Sequence, residues 1–295
     1  MQKSIGIVGV TGFVGRYLAR ALAARGYRVV GFSRASGGDC DVVQEWRKSG
    51  EWDFSGLYGV VNLAGERIDQ RWTEANRKKF ADSRIGLTGE IGAAIRAMPE
   101  LQRLKVWVNA SAVGFYGDSG DVELDENSAR GEGYLADLCV GWEQALKDAD
   151  VEGVRTVIVR VGVVLGSGGM AWDRLRRIFS LGLGGRLASG RQWMPWIHIV
   201  DLAEAMIFCL EHEQLSGIVN GVSPEPLSNK QLTQQLAAAL NRPAIFAVPG
   251  WALRLLLGEF GTFLTGGQRV YPRALQSGGY EFRHATLKSA LKELL

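Results

Sequence analysis

The sequence predicts an α/β fold: a doubly wound parallel sheet with a smaller, mainly helical lobe at its C-terminal end. Three observations carry this. Short apolar runs alternate with amphipathic stretches from residue 3 to residue 221, the pattern of strands joined by crossover helices. The first apolar run ends in glycines at 9, 12 and 15 and leads directly into a helical stretch. From 224 to 295 the chain is mainly helical and has no such glycine turn.

The first strand covers 3–8, nearly all apolar, as suits a strand buried on both faces. In IGIVGVTGFVGR (5–16) the turn needs backbone angles and a closeness of approach that side chains forbid. The helix beginning there offers unpaired N–H groups and a partial positive charge, which suit a pyrophosphate. These features point to a dinucleotide site, with Gly9, Thr11, Gly12, Phe13, Val14 and Gly15 as cofactor-binding candidates. The helix is expected over 16–25, with Leu18, Ala21 and Leu22 on one face and Gly26 as its C-cap.

The second strand, 27–33, ends in Phe32, Ser33 and Arg34. An NAD site places an Asp or Glu there, to accept from the ribose hydroxyls. Here the acid is absent and a base is present. Arg34 can pair with a 2′-phosphate and Ser33 can add a hydrogen bond, which predicts NADP (NADPH) over NAD. The plainer alternative is an exposed loop arginine.

A polar loop is expected at 35–39, then a short strand and turn at 41–46. The strand 59–64, GVVNLA, ends at Leu63, Ala64 and Gly65, small enough at its end for a backbone to lie against adenine or ribose. Residues 72–97 read as a long helix with one break near Ser83, and 106–112 as a buried strand that ends near Ser111. A polar loop (114–130), a helix (133–147) and a strand (156–164) follow.

Residues 162–190 are glycine-punctuated with one basic helical piece, AWDRLRRIF. A strand at 196–200, a helix at 201–211 capped by Asp201 and a last strand at 217–221 complete the alternation. Ser228 caps the helix that begins NKQLTQQLAAAL. The expected division is a nucleotide-binding domain at 1–165 and 196–222, and a substrate-side lobe at 166–195 and 223–295 over the C-terminal strand ends.

Composition narrows the class. A net charge of +3, with acids interspersed among the bases, gives no argument for nucleic acid. The arginines at 174–177 read as a solvated helix face. Cys40, Cys139 and Cys209 have no metal-ligand spacing, so no metal is expected and the thiols read as reduced. The most apolar late segment, 245–264, carries Pro249, Arg254 and Glu259, which argues against a membrane span. Met1 leads straight into the first strand, with no room for a signal peptide. The expectation is a cytoplasmic enzyme with a small-molecule substrate and no nucleic-acid or membrane partner.

The spellings TGFVG (11–15), NLAG (62–65) and WIHIVDLAEA (196–205) resemble the extended short-chain dehydrogenase/reductase superfamily. SAVGFYGDSG (111–120), YLADLCVGWE (134–143), GLGGRLASGRQWMPWIH (182–198) and LRLLLGE with GQRVYP (253–272) resemble, more closely, its atypical epimerase branch with a DUF1731 tail. That branch is sometimes labelled SulA-family nucleoside-diphosphate-sugar epimerase. The motifs span nearly the whole chain. The resemblance implies a Rossmann domain binding NADP(H). It also implies an oxidoreductase or epimerase acting on a small polar, nucleotide-sugar-like substrate, and a homodimer built on helices 73–97 and 133–147.

The superfamily works with Ser/Thr, Tyr and a Lys four residues after the Tyr. By position these are Ser111, Tyr134 and Leu138, and leucine cannot lower a phenol's pKa. Several readings stay open. Tyr134 can act as an acid. Arg84, Arg191 or Arg269 can replace the lysine, with Arg84 also a cofactor contact. Tyr116 or Glu66 can move the proton. Or Tyr134 simply packs against the sheet. Glu66, Arg191 and Trp193 are the substrate candidates. His198 reads as a core histidine and Cys139 as a small buried hydrophobe. The missing lysine also motivates an alternative from another class, an NADP(H)-binding redox-sensing or regulatory protein with little turnover.

Overall fold

A computed structural model describes residues 2–34, 40–102 and 104–295, so the loop expected at 35–39 lies outside the described residues. Seven parallel strands form one sheet: β1 (Ser4–Val8), β2 (Arg28–Ser33), β3 (Glu45–Lys48), β4 (Gly59–Asn62), β5 (Val106–Ala112), β6 (Arg155–Val161) and β7 (Gly217–Gly221). Their order across the sheet is β7-β6-β5-β4-β1-β2-β3. The order reverses between β1 and β4, and ligands of doubly wound sheets bind in the crevice at such a switch point.

Alternation along the strands divides the core. Ile5, Ile7, Val106, Val108, Val157 and Val159 pack on one face against α1 (Phe13–Ala24) and α6 (Ile199–Glu211), through Leu18, Leu22, Leu202 and Met206. Val8, Val60, Trp107 and Ile158 point the other way, against Ile91 and Ile95 of α3 (Leu87–Ala97) and Leu146 of α4 (Tyr134–Asp148). The inner strands are therefore apolar on both faces, while the edge strand β3, EWRK, is not.

The expected helix at 72–97 is α2 (Glu74–Ala81) running into α3 through a wide π-turn, Asp82–Gly86, at the expected break. α1 starts earlier than expected, because Gly12 of the nucleotide turn is itself the N-cap. The strand expected at 41–46 lies instead at Glu45–Lys48. The strand expected at 156–164 is two. A Cβ at Gly162 would lie 2.7 Å from the Pro195 carbonyl oxygen, and beyond it Val163–Leu165 leaves the sheet to pair with Trp196–His198.

A separate apolar cluster builds the smaller lobe. It joins Trp172 and Phe179 of α5 (Met170–Ser180), Leu232 and Leu236 of α7 (Asn229–Ala239), and Leu287 and Leu291 of α11 (Leu287–Leu294). Ser228 and Gln231 form the full capping box expected for α7. Asp201 is not a cap. The His198 side chain caps α6, while the buried Asp201 carboxylate accepts from the backbone N–H groups of Arg283 (2.7 Å) and His284 (2.9 Å). The tail is thereby strapped against the head of α6. The remaining short helices are α8 (Gly250–Leu257), α9 (Glu259–Phe263) and α10 (Arg273–Ser277).

Candidate functional site

The glycine turn builds the first cavity. Gly9 has a φ of +86°, and a Cβ there would sit 3.0 Å from the Ala64 backbone nitrogen. At Gly15 a Cβ would meet the Gly9 oxygen at 2.3 Å, so α1 can pack onto its own turn only with glycine there. The first turn of α1 carries no acid and no capping side chain, which leaves its amides available to an anion. A groove of about 620 Å³ runs over this turn, lined by Gly9, Thr11, Gly12, Ser33, Arg34, Leu63, Ala64, Gly65 and Glu66. Its far wall, Trp52 and Glu90, was not expected from sequence; Trp52 Nε1 donates to Glu90 Oε2 at 3.1 Å. Phe13 does not line it. Its ring lies on Gly166 and Gly169 and edge-on to Tyr17, joining the turn to the segment before α5.

Leu63 also lines a second, inner cavity of about 330 Å³, with Val14, Ser111, Arg84, Leu138, Cys139 and Trp142. Ser111, near the C-terminal end of β5, donates to Glu143 Oε1 at 2.8 Å. Arg160 binds the same carboxylate through Nε and Nη2, both at 2.8 Å. Arg160 Nη1 donates to the Tyr116 hydroxyl at 3.0 Å, and its guanidinium lies 3.3 Å from the Phe115 ring centre. Ser111, Glu143 and Arg160 are each at most 3% exposed. Sequence reading missed Glu143 and Arg160. The available signal was an arginine inside the apolar strand TVIVRVGVV, because a buried charge requires a partner.

Tyr116, expected as an alternative acid/base, is wholly buried and lines none of these cavities. Its hydroxyl lies 2.8 Å from Asn220 Oδ1 and 2.9 Å from the Asp125 carbonyl oxygen. Burial raises its pKa against the pull of Arg160. The geometry makes it a buried brace beneath the cavity floor.

Arg84 enters from the π-turn, where the one extra residue swings its side chain inward. Nη2 donates to the Glu66 carbonyl at 2.9 Å, and the guanidinium lies 5.2 Å from the Trp142 ring centre. A Cβ on Gly65 would come 3.0 Å from Nη2. Burial lowers the arginine's pKa, while Cys139, Tyr134 and Glu66 oppose the shift. The other two candidate cations stay outside. Arg191 is exposed, and Arg269 pairs with Glu123 at 3.2 Å and stacks on Trp193. Trp193 donates to Asp121 at 2.7 Å, and neither it nor Arg191 lines any of the three cavities.

A third cavity, about 380 Å³, shares Gly114, Leu135 and Phe263 with the second. Tyr134, Trp72, Asp118, Glu132, Arg254 and Gln268 line it. The Tyr134 hydroxyl donates to the Arg77 carbonyl at 3.4 Å. Desolvation raises its pKa, opposed by Arg77 and Arg84, so the phenol holds its proton at neutral pH. Ser111 and Tyr134 thus open on adjoining cavities.

Two residues expected to be structural, Cys139 and His198, are both buried. Burial pushes the Cys139 thiol up to about 12, with Glu143 adding to the effect. His198 is 1% exposed; its Nδ1 accepts from the Val200 N–H at 3.3 Å, so the neutral ring carries its proton on Nε2. His284 and Glu293 bring ligand atoms within 4.8 Å of His198, but that protonated Nε2 is the nitrogen left to face them, which does not suit a metal.

Residues 5–220 match the profile of the NAD dependent epimerase/dehydratase family, and 248–294 match a domain of unknown function, DUF1731. The chain is 39% identical over 292 residues to the epimerase family protein Mb2239 of Mycobacterium bovis, covering 97% of this chain and 96% of that one. It is 37% identical over 292 residues to the human epimerase family protein SDR39U1, covering 97% and 98%. The crystal structure of human SDR39U1 (isoform 2) with NADPH superposes with a TM-score of 0.91 at 36% identity, covering 99% of this chain and 98% of that one.

Proposed function

The chain belongs to the NAD dependent epimerase/dehydratase family, and from that premise we propose that it binds NADPH and works as an oxidoreductase or epimerase of the extended short-chain type on a small polar, nucleotide-sugar-like substrate. The carrying observation is the row of three adjoining cavities. Leu63 is common to the first and second, and Gly114, Leu135 and Phe263 to the second and third. A dinucleotide and a small substrate need that succession of sites. NADPH bound to the human relative supports the cofactor.

In this reading Arg34 and Ser33 hold the 2′-phosphate, the turn at Gly9–Gly15 receives the pyrophosphate, and the Ser111 cavity receives the nicotinamide. The cofactor supplies a hydride when bound. Arg84 provides the cation that Leu138 cannot. Ser111 donates to Glu143 and so turns its lone pairs to the cavity, where they accept from a substrate hydroxyl. Tyr134, protonated at neutral pH, gives its proton to a carbonyl oxygen in the third cavity. Residues 1–165 and 196–222 form the nucleotide side, and 166–195 with 223–295 the substrate side. The three unpaired cysteines suit a reducing, cytoplasmic setting.

The test is a fluorescence titration with NADPH, then incubation of the bound cofactor with a panel of nucleotide sugars and keto sugars. Binding followed by NADPH oxidation, for a reductase, or by redox-neutral conversion of a panel sugar, for an epimerase, is expected. Failure to bind NADPH overturns the proposal. Tight binding with neither cofactor oxidation nor conversion of any panel member, followed by NMR with either NADPH or NADP, replaces the enzyme with the redox-sensing alternative.

A further inference from the structure

Most of the exposed large apolar side chains cluster; only Val122 and Leu295 among those of the described residues lie apart. Ile178, Leu181, Leu183, Ile245, Phe246, Trp251, Leu255 and Leu256 are 46–79% exposed and fall in two short segments. The parallel pairing of Gly185–Leu187 with Phe246–Val248 brings those segments together. α8 turns Leu253 inward and leaves Trp251, Leu255 and Leu256 outside. Clustering of this kind marks an interaction surface.

The charge of the same segments is lopsided. Residues 173–191 and 242–259 hold seven arginines (174, 176, 177, 186, 191, 242 and 254) against two acids, Asp173 and Glu259, in a chain whose whole net charge is +3. Arg174 pairs with Asp69, and Glu259 is itself paired with Arg77. Arg176, Arg177, Arg242 and Arg254 are exposed and make no ion pair among the described residues. Exposed apolar side chains and unpaired arginines carried on the same segments, with a tryptophan among them, fit the headgroup region of an anionic bilayer. A second copy of this chain fits poorly, because a two-fold contact would set the arginines against one another.

We propose that this face, centred on α8 and the end of α5, docks peripherally on an anionic membrane surface. Trp251, Leu255 and Leu256 enter the interface and the arginines meet the lipid phosphates and carboxylates. Arg254 and Glu259 line the third cavity, so docking sets the mouth of that cavity toward the lipid. The proposal stands independently of the cofactor and of the reaction.

The experiment is co-sedimentation of the tag-free full chain with vesicles of phosphatidylcholine alone, or with about a third phosphatidylserine. Pelleting with the anionic vesicles at least tenfold above the neutral ones is expected, falling as salt rises. Leu255→Ser with Leu256→Ser should cut it several-fold, and Arg176→Glu with Arg177→Glu should abolish the anionic preference. Circular dichroism and the melting temperature check that these exposed changes leave the fold intact. No pelleting above a vesicle-free control overturns the proposal, as does pelleting that neither variant changes. A dimer in size-exclusion chromatography that the Leu255/Leu256 variant dissociates would give the face to a second copy instead.

Discussion

Glu143 and Arg160 face each other through two parallel hydrogen bonds of 2.8 Å, and the Ser111 hydroxyl rests on the same carboxylate. Both charges are buried. Removing one leaves the other unpaired in a low-dielectric interior, which costs about 3–5 kcal/mol. Glu143→Met should therefore lower the unfolding free energy by about that amount, measured in urea. The double variant Glu143→Met/Arg160→Met should recover much of the loss, because no orphan charge remains. A single variant as stable as the parent would show that the pair is not electrostatically isolated.

The Arg84 guanidinium lies against Gly65 and in the cavity wall next to Leu138. If it supplies the cation of the nicotinamide end, Arg84→Met should weaken NADPH binding about tenfold, the size of a hydrogen bond to a charged group. Arg84→Lys should retain part of the affinity through its charge. Gly65→Ala should mimic the loss by displacing the guanidinium. Dissociation constants equal to the parent's in all three variants, from fluorescence titration, would remove Arg84 from the cofactor site.

Arg34 lines the groove over the glycine turn, where the proposal puts the 2′-phosphate. A 2′-phosphate is present in NADPH and absent from NADH, so Arg34→Ala should act on one cofactor alone. NADPH affinity should fall about tenfold or more, while NADH affinity stays unchanged. A variant that keeps the full preference for NADPH would relocate the phosphate contact.

Legibility followed the range of the interactions. The glycine turn, the apolar strands and the Ser228 cap depend on residues close in sequence, and all were readable there. The break near Ser83 was readable too, but not its consequence: the π-turn that brings Arg84 to the cavity shows only once α3 packs on α4. Glu143 and Arg160 are 17 residues apart on different elements, and neither position names the other. Asp201 looked like a cap because it lies in the first turn of α6; its partners lie 82 and 83 residues on, in the tail.

His198 gives that tail contact a pH dependence. Desolvation first, then His284, pull its pKa from 6.5 down to about 4, with Arg283 adding to the fall and Glu293 opposing it. The folded state thus holds the neutral ring, while the unfolded chain takes up a proton near its ordinary value. The stabilisation is full above about pH 6.5 and is lost as pH falls towards 4. Over that window the shift corresponds to roughly 3 kcal/mol. His198→Asn preserves a capping oxygen for the Val200 N–H and removes the titration. The parent should lose roughly 3 kcal/mol of stability relative to this variant as pH falls from 7.5 to 4, measured by urea denaturation across the range. Parallel profiles for the two proteins would mean that His198 titrates alike in the folded and unfolded chains.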